Sequence, residues 1–359
     1  MQKGIKHMAK KLMKGSEAIA EAAIQAGCRY FFGYPITPQN EVPEYMSRRM
    51  PQVDGCFLQA ESEVAAINMV YGAAGAGARV MTSSSSPGIS LKQEGISYIA
   101  CAELPCVVVN IVRTGPGLGG IQPSQGDYFQ ATKGGGHGDY HLVVLAPSSI
   151  QEAADMVMEA FDIADMYRNP VMILGDGMIG QMMEPVEFHQ PPKREIPEKT
   201  WAATGWDGTQ ERAIINSLYI EPEVMQVVSD RLQKRYELIK QNETRVEEYK
   251  MEDAEYCIAA YGTTARVAKS AVNKAREMGI KAGIIRPKTV WPFPSEAFCK
   301  AADQVKGFLT VEMSAGQMVE DVRLAVNGKK PVEFYGVMGG FLPTPNAILE
   351  KLIQLKEGK

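Results

Sequence analysis

The sequence predicts an α/β protein built as two units, and three observations carry that prediction. Short apolar runs alternate with segments of helical apolar spacing through the first half of the chain. Glycine- and serine-rich turns mark the points where those runs hand over to helices. After a proline-rich break, the same alternation resumes near Glu255. This is the pattern of a largely parallel sheet covered on both faces by helices.

In chain order, residues 13–27 predict a helix. Gly15, Ser16 and Glu17 offer cap chemistry, Ala18, Ile19, Ala22, Ala23 and Ala26 form the apolar stripe, and Gly27 stops it. A strand at 29–33 follows directly. Further strands are predicted at 56–59, 79–83, 106–112, 142–145 and 171–174, with helices at 63–78, 89–101 and 149–166. Within 63–78, Val64, Ile67, Val70 and Tyr71 recur at helical spacing, and Gly72, Gly75 and Gly77 are expected to let another backbone approach. Residues 185–206 carry Pro185, Pro191, Pro192 and Pro197 without periodicity and read as a linker. Residues 222–252 predict a charged helical segment whose opposite charges at helical spacing form a solvated face.

The second unit opens with a strand at 256–261, the turn Gly262-Thr263-Thr264, a helix at 265–278 and a strand at 282–286, closed by Pro287 and Trp291-Pro292-Phe293-Pro294. A helix at 295–302 and a strand at 307–312 repeat the theme. The expected division is a first domain at 1–184, a linker and charged helical segment at 185–252, and a second domain at 253–359.

Composition narrows the function classes. At 359 residues the chain is long for a single core. Hydrophobic residues make up 45% and charged residues 22%, and the net charge of -4 leaves no basic footprint for nucleic acid or for a membrane surface. The longest apolar stretch, 99–112, is broken by Glu103, Pro105 and Asn110 and falls short of a membrane span. The basic N-terminus, Met1 to His7, has no apolar stretch after it and does not read as a secretory signal, so a cytoplasmic protein is expected. Six cysteines include no C-x-x-C pair, which argues against an iron–sulfur or zinc site made by this chain alone. Four or more of them are expected as small buried hydrophobes.

Four stretches concentrate chemistry at predicted strand ends. Ala60-Glu61-Ser62-Glu63 places an acid at a strand-to-helix turn, and Thr82-Ser83-Ser84-Ser85-Ser86-Pro87-Gly88 forms a loop suited to close approach by a ligand. Gly33-Tyr34-Pro35-Ile36-Thr37-Pro38 holds Thr37 between two prolines of fixed φ. Val112-Arg113-Thr114-Gly115-Pro116 ends an apolar strand on a guanidinium followed by glycines. Each is commonplace alone, since a helix-start acid favours the helix dipole and a strand-end arginine is usually a surface residue.

In combination and in this order, the four stretches resemble the pyrimidine-binding domain of thiamine diphosphate enzymes, specifically the alpha chain of 2-oxoacid:ferredoxin oxidoreductases. The resemblance runs from about Leu12 to the C-terminus and is closest to the 2-oxoisovalerate (3-methyl-2-oxobutanoate) branch. It implies a thiamine diphosphate-binding fold followed by a transketolase C-terminal-like domain that braces the assembly and lines part of the coenzyme A side.

The same resemblance implies roles for particular residues. The family's pyrimidine-side glutamate matches Glu63, with Glu61 as the rival two residues earlier. Thr37 is placed against the substrate or the reacting thiazolium, and Arg113 pairs with the carboxylate of the 2-oxoacid. Tyr34, Pro35, Ile36, Ser85, Ser86, Pro87 and Gly88 line the coenzyme. Ser86 departs from the family's Thr-Ser-Gly-Pro-Gly, which leaves open which serine of 83–86 touches it. The implied reaction is oxidative decarboxylation of a branched-chain 2-oxoacid to acyl-CoA and CO₂ with ferredoxin reduction. The alternatives are a 2-oxoglutarate-specific alpha subunit and a non-catalytic α/β scaffold.

Gly175-Asp176-Gly177 matches the start of a thiamine diphosphate–magnesium motif, but the first asparagine downstream is Asn216, beyond the proline-rich linker. The turn therefore reads as a strand end. The diphosphate, Mg²⁺ and a 4Fe-4S cluster are expected on a beta subunit, with gamma and ferredoxin-like delta subunits completing the assembly. His137 and His141 sit in a glycine-rich loop and are not expected to bind metal.

Overall fold

Residues 10–206, 208–209 and 211–358 are described in a computed structural model, and the basic N-terminal heptapeptide lies outside them. The first half runs β1 (Lys11–Lys14), α1 (Gly15–Gln25), β2 (Tyr30–Gly33), α2 (Glu41–Arg49), β3 (Cys56–Gln59), α3 (Glu63–Gly75), β4 (Val80–Ser84), α4 (Ser86–Cys101) and β5 (Val107–Val112). It continues with α5 (Tyr128–Thr132), β6 (Val143–Leu145), α6 (Ile150–Tyr167), β7 (Val171–Asp176), α7 (Gly177–Gln181) and β8 (Met183–Val186). The second half contains α8 (Pro222–Glu243), β9 (Val246–Tyr249), β10 (Tyr256–Ala259), α9 (Gly262–Glu277), β11 (Ala282–Pro287) and β12 (Thr289–Trp291). It ends with α10 (Ser295–Gln304), β13 (Gly307–Glu312), α11 (Met318–Val326), β14 (Val332–Gly336) and α12 (Pro345–Glu357).

A seven-stranded sheet in the order β12-β6-β7-β5-β4-β2-β3 forms the first unit, parallel from β6 to β3. Its middle strand β5 is buried along its whole length, and its Val-Val-Val-Asn-Ile-Val run, apolar but for Asn110, is what a strand covered on both faces requires. The second unit is a five-stranded sheet in the order β14-β13-β10-β11-β9, with β9 antiparallel at its edge.

Strands pass between the expected segments. β9 comes from the charged segment and completes the second sheet, while β12 follows β11 in the chain yet pairs antiparallel with β6 in the first. Trp291 of this crossover stacks on His141, with ring centroids 4.4 Å apart, and Tyr236 meets both rings edge-on. His141 is thus a packed loop residue, and burial pushes its imidazole below the usual range.

Several local expectations are revised by packing. Met13 belongs to β1, which pairs antiparallel with β8, so the first helix begins at Gly15 and Ser16 caps nothing. Gly15 is required there because a Cβ would lie 1.7 Å from the Ile179 carbonyl oxygen. Gly72 faces open space, and the close approach between α3 and α4 is made instead by Gly88 and Gly95 of α4. The charged segment is a helix only to Glu243. Its outer face is solvated, but Val228, Leu232, Tyr236 and Ile239 are buried, and Arg231 and Arg235 both pair with Glu103. Of the cysteines, Cys28, Cys106 and Cys257 are buried, Cys101 is half-buried, and Cys56 and Cys299 are exposed. No helix among the described residues is long and apolar enough to cross a membrane.

The two units are joined through buried polar side chains. The Gln125 amide donates to the Tyr261 carbonyl at 2.9 Å, and its oxygen accepts from Thr264 Oγ1 at 2.7 Å and from the Met313 amide at 2.9 Å. Thr263 Oγ1 donates to Asp176 at 3.0 Å, and Tyr128 donates to Asp321 at 2.6 Å. These bonds fix the cleft that opens between the units.

Candidate functional site

The four chemistry-bearing loops leave the carboxyl ends of β2, β3, β4 and β5, which is where open parallel sheets place ligands. Ser62 is in extended conformation and its Oγ accepts from the Ala65 amide at 3.2 Å, so it caps α3 and sets Glu63 as the first helical residue. Glu63 is buried whereas Glu61 is exposed. Among the described residues, no hydrogen bond reaches the Glu63 carboxylate. It lies against Gly88, where a Cβ would stand 2.6 Å from Glu63 Oε1 and 2.0 Å from Ser84 Oγ.

Around this carboxylate the serine loop is partly tied and partly free. Ser83 Oγ donates to Gln39 Oε1 at 2.6 Å, linking β4 to the loop after β2. Ser86 Oγ accepts from the Arg113 amide at 3.1 Å, linking α4 to β5. Ser84 Oγ and Ser85 Oγ are buried without a hydrogen-bond partner among the described residues, an arrangement that costs free energy unless something else completes it.

Arg113 is buried. Its guanidinium donates to the Thr37 carbonyl and to the Leu118 carbonyl, both at 2.9 Å, and its Nε has no partner. It thereby ties the Tyr34–Pro38 loop to the glycine loop after β5. Thr37 itself is exposed, with its hydroxyl 3.5 Å from Asn40 Nδ2; Pro35 is exposed, and Tyr34 and Ile36 are half-buried.

A cleft of about 350 Å³ opens beside Arg113, between the two units. Ser86, Pro87, Arg113 and Asp127 line it from the first unit, with Met313 and Met338 from the second. Arg113 is the cation among the lining residues. Burial raises the Asp127 carboxyl above the usual range, although Asn110 and Ser86 hydrogen-bond to it and oppose the rise. Asp176 ends β7 and caps α7 through the Met178 and Ile179 amides, so Gly175 to Gly177 is a strand-end turn. No group of three metal-ligating side chains occurs among the described residues.

Three residues near this site escape a reading of loops alone. Gln39 is the polar residue that directly follows the Gly33–Pro38 stretch, while Asp127 and Lys92 lie outside the four stretches. Lys92 had a signal available, for it occupies the apolar stripe of α4 between Ile89 and Ile96, where a lysine is out of place.

Comparisons with known proteins bear on the whole chain. Residues 21–252 match the family described as pyruvate flavodoxin/ferredoxin oxidoreductase, thiamine diphosphate-binding, and residues 254–348 match pyruvate:ferredoxin oxidoreductase core domain II. Ketoisovalerate oxidoreductase subunit VorB of Methanothermobacter thermautotrophicus is 51% identical over 345 residues, covering 96% of this chain and 97% of that protein. The 2-oxoglutarate synthase subunit KorA of the same organism is 36% identical over 376 residues, covering 96% and 98%. A solved 2-oxoglutarate:ferredoxin oxidoreductase from Magnetococcus marinus superposes with a TM-score of 0.85 at 26% identity, over 96% of this chain and 65% of that one. By both domain matches and near-full-length identity, the chain belongs to the pyruvate flavodoxin/ferredoxin oxidoreductase family of thiamine diphosphate-binding proteins.

Proposed function

We propose that this chain is the alpha subunit of a cytoplasmic 2-oxoacid:ferredoxin oxidoreductase that converts a branched-chain 2-oxoacid, 3-methyl-2-oxobutanoate, to its acyl-CoA. The observation that carries this reading is the Glu63 carboxylate, buried at a helix start without a hydrogen bond among the described residues and packed directly against Gly88 of the serine loop. The unpartnered Ser84 hydroxyl, which shares the Gly88 contact with it, and the unpartnered Ser85 hydroxyl of the same loop are polar atoms that an aminopyrimidine would satisfy. The residues present therefore fit the pyrimidine end of thiamine diphosphate. Bound there, the coenzyme would supply a nucleophilic carbon and an electron sink for decarboxylation of a 2-oxoacid.

The chain's own residues have narrower tasks. Glu63 hydrogen-bonds the pyrimidine and fixes its protonation, a role that depends on exclusion of water. Gly88 brings the serine loop against Glu63, and Tyr34, Pro35, Ile36, Ser85, Ser86 and Pro87 would contact the coenzyme. The free Nε of Arg113 faces the need of a carboxylate for a charged donor, and the exposed Thr37 hydroxyl is available to the substrate.

The side chains lining the cleft include one cation and two methionines, alongside the Asp127 carboxyl. That set suits an acid with one carboxylate and an aliphatic tail better than the dicarboxylate 2-oxoglutarate. Identity of about half to two proteins named ketoisovalerate oxidoreductase subunit supports the same choice. A beta subunit would bring the diphosphate site with Mg²⁺ and a 4Fe-4S cluster, joined by gamma and ferredoxin-like delta subunits, with ferredoxin as acceptor. Reconstituting the complex and comparing 2-oxoacids, with coenzyme A and a viologen acceptor, tests the proposal. A preference for 2-oxoglutarate overturns the substrate, and activity independent of thiamine diphosphate overturns the function.

A further inference from the structure

Lys92 is fully buried. Its ammonium donates to Thr82 Oγ1 at 2.7 Å and to the Ser83 carbonyl at 3.0 Å, which accounts for two of its three donors. Among the described residues, no carboxylate lies within 4.0 Å of it. Burying a cation without a counter-charge is costly, so its balance must come from a carboxylate slightly farther off.

The packing identifies that carboxylate. Gly88 precedes Lys92 by one turn of α4 and abuts Glu63. Gly95, in the following turn, abuts Ile67 of α3 so closely that a Cβ would stand 2.5 Å from its side chain. The two helices are therefore pressed together on both sides of Lys92. Thr82 and Ser83, which hold the ammonium, lead directly into Ser84, whose hydroxyl shares the Gly88 hollow with Glu63.

We propose that Lys92 is a positioning residue, whose buried ammonium acts across the α3–α4 contact to hold the Glu63 carboxylate in place against Gly88. Burial pushes Lys92 down to about 7, and the charge of Glu63 opposes that fall. The rest of its immediate shell is uncharged: the Thr82 hydroxyl and the Ser83 carbonyl, with Gln39 behind them on Ser83. A charge poised near neutrality beside the acid would make coenzyme engagement depend on pH through a residue that touches neither coenzyme nor substrate.

The consequence for turnover rests on the proposed function, but the coupling itself does not. It is tested first in the full-length chain without coenzyme, with isotope-labelled lysines, the Lys92 resonance being assigned from its loss in Lys92→Met. Glu63→Gln should lower the Lys92 titration midpoint by roughly one unit, the size of effect a nearby opposite charge exerts. An unchanged midpoint overturns the proposal, and where Lys92→Met fails to fold the resonance is assigned from its loss in the more conservative Lys92→Arg. In the reconstituted complex, kcat/KM should fall as pH rises through the Lys92 midpoint, because the ammonium is then lost, and Lys92→Met should remove that pH dependence. A fall that persists in Lys92→Met also overturns it. If the coupling is found but the complex shows no thiamine-dependent turnover, the functional reading fails and the pair stands.

Discussion

The Glu63 carboxylate rests against Gly88 with no room between them for a methyl group, since a Cβ at residue 88 would lie 2.6 Å from Oε1. That contact joins the start of α3 to the start of α4 and defines the hollow. Gly88→Ala should therefore displace Glu63 and Ser84 without breaking either helix. Overpacking of this kind costs about 1–3 kcal/mol of stability. The expected result is a folded chain with thiamine-dependent turnover reduced by roughly 10²-fold, the order lost when an acid–base group is misplaced. Turnover and a thermal melt on the same preparation check it, and an active alanine variant would show that the hollow is not used.

Glu63→Gln removes ionisation while keeping shape. Turnover should fall by roughly 10²-fold or more with the melting curve unchanged. Glu61→Gln, at an exposed position, should cost little. A larger loss at Glu61 would transfer the role to it.

What the sequence revealed here and what it hid have physical reasons. Strands such as β5 and β13 are legible because a strand buried on both faces needs a largely apolar run, interrupted here by Asn110 in β5 and by Thr310 and the terminal Glu312 in β13. The strand at Thr289–Trp291 was not, because its neighbouring prolines read as a terminator and its pairing partner, β6, lies more than 140 positions earlier. Met13 was read into a helix because a short edge pair with β8 has no local signature. The loops at Thr37, Glu63, Ser85 to Gly88 and Arg113 stood out through glycine, proline and charge at strand ends. Lys92 lies outside those loops, and its one sequence signal is a lysine within the apolar stripe of α4; its partners are found only in space.

Arg113 poses a choice that kinetics can make. Two of its donors already hold the Thr37 and Leu118 carbonyls, which leaves Nε and the remaining N–H groups for a substrate carboxylate. Arg113→Lys replaces a planar fork by a point charge. Loss of a charge-assisted bond to the 2-oxoacid, about 1.5–3 kcal/mol, corresponds to roughly ten- to hundred-fold in kcat/KM for that substrate. The KM for coenzyme A should hardly move. Equal losses for both substrates would mark Arg113 as a tie between loops, and the carboxylate contact would have to be sought at Thr37 or the serine loop.

The junction of the two units offers a test independent of catalysis. Arg286 of β11 donates to both oxygens of Glu152 in α6, at 2.9 and 2.8 Å, and to Glu247 at 2.7 Å. Burial by itself would raise the Glu152 carboxyl, but Arg286, Ser148 and Lys288 outweigh it and bring the group down to about 2 from an ordinary 4.5. A carboxylate depressed in the folded state stabilises above its unfolded pKa and loses that contribution as pH falls toward the folded value. Glu152 should thus contribute roughly 3 kcal/mol at neutral pH, lost between about pH 5 and pH 2. Glu152→Gln should flatten the acid side of the stability curve in that window. Arg286→Met leaves the carboxylate buried without its fork and should cost about 3–5 kcal/mol at pH 7. Adding Glu152→Leu to Arg286→Met should recover part of the loss, because the charge left behind is then removed. Urea unfolding of the three variants at pH 7 and pH 4 reads all of this, and a loss under about 1 kcal/mol for Arg286→Met, the size of an exposed ion pair, would mean that the other contacts between the units, those of Gln125, Thr263 and Tyr128 among them, hold them together.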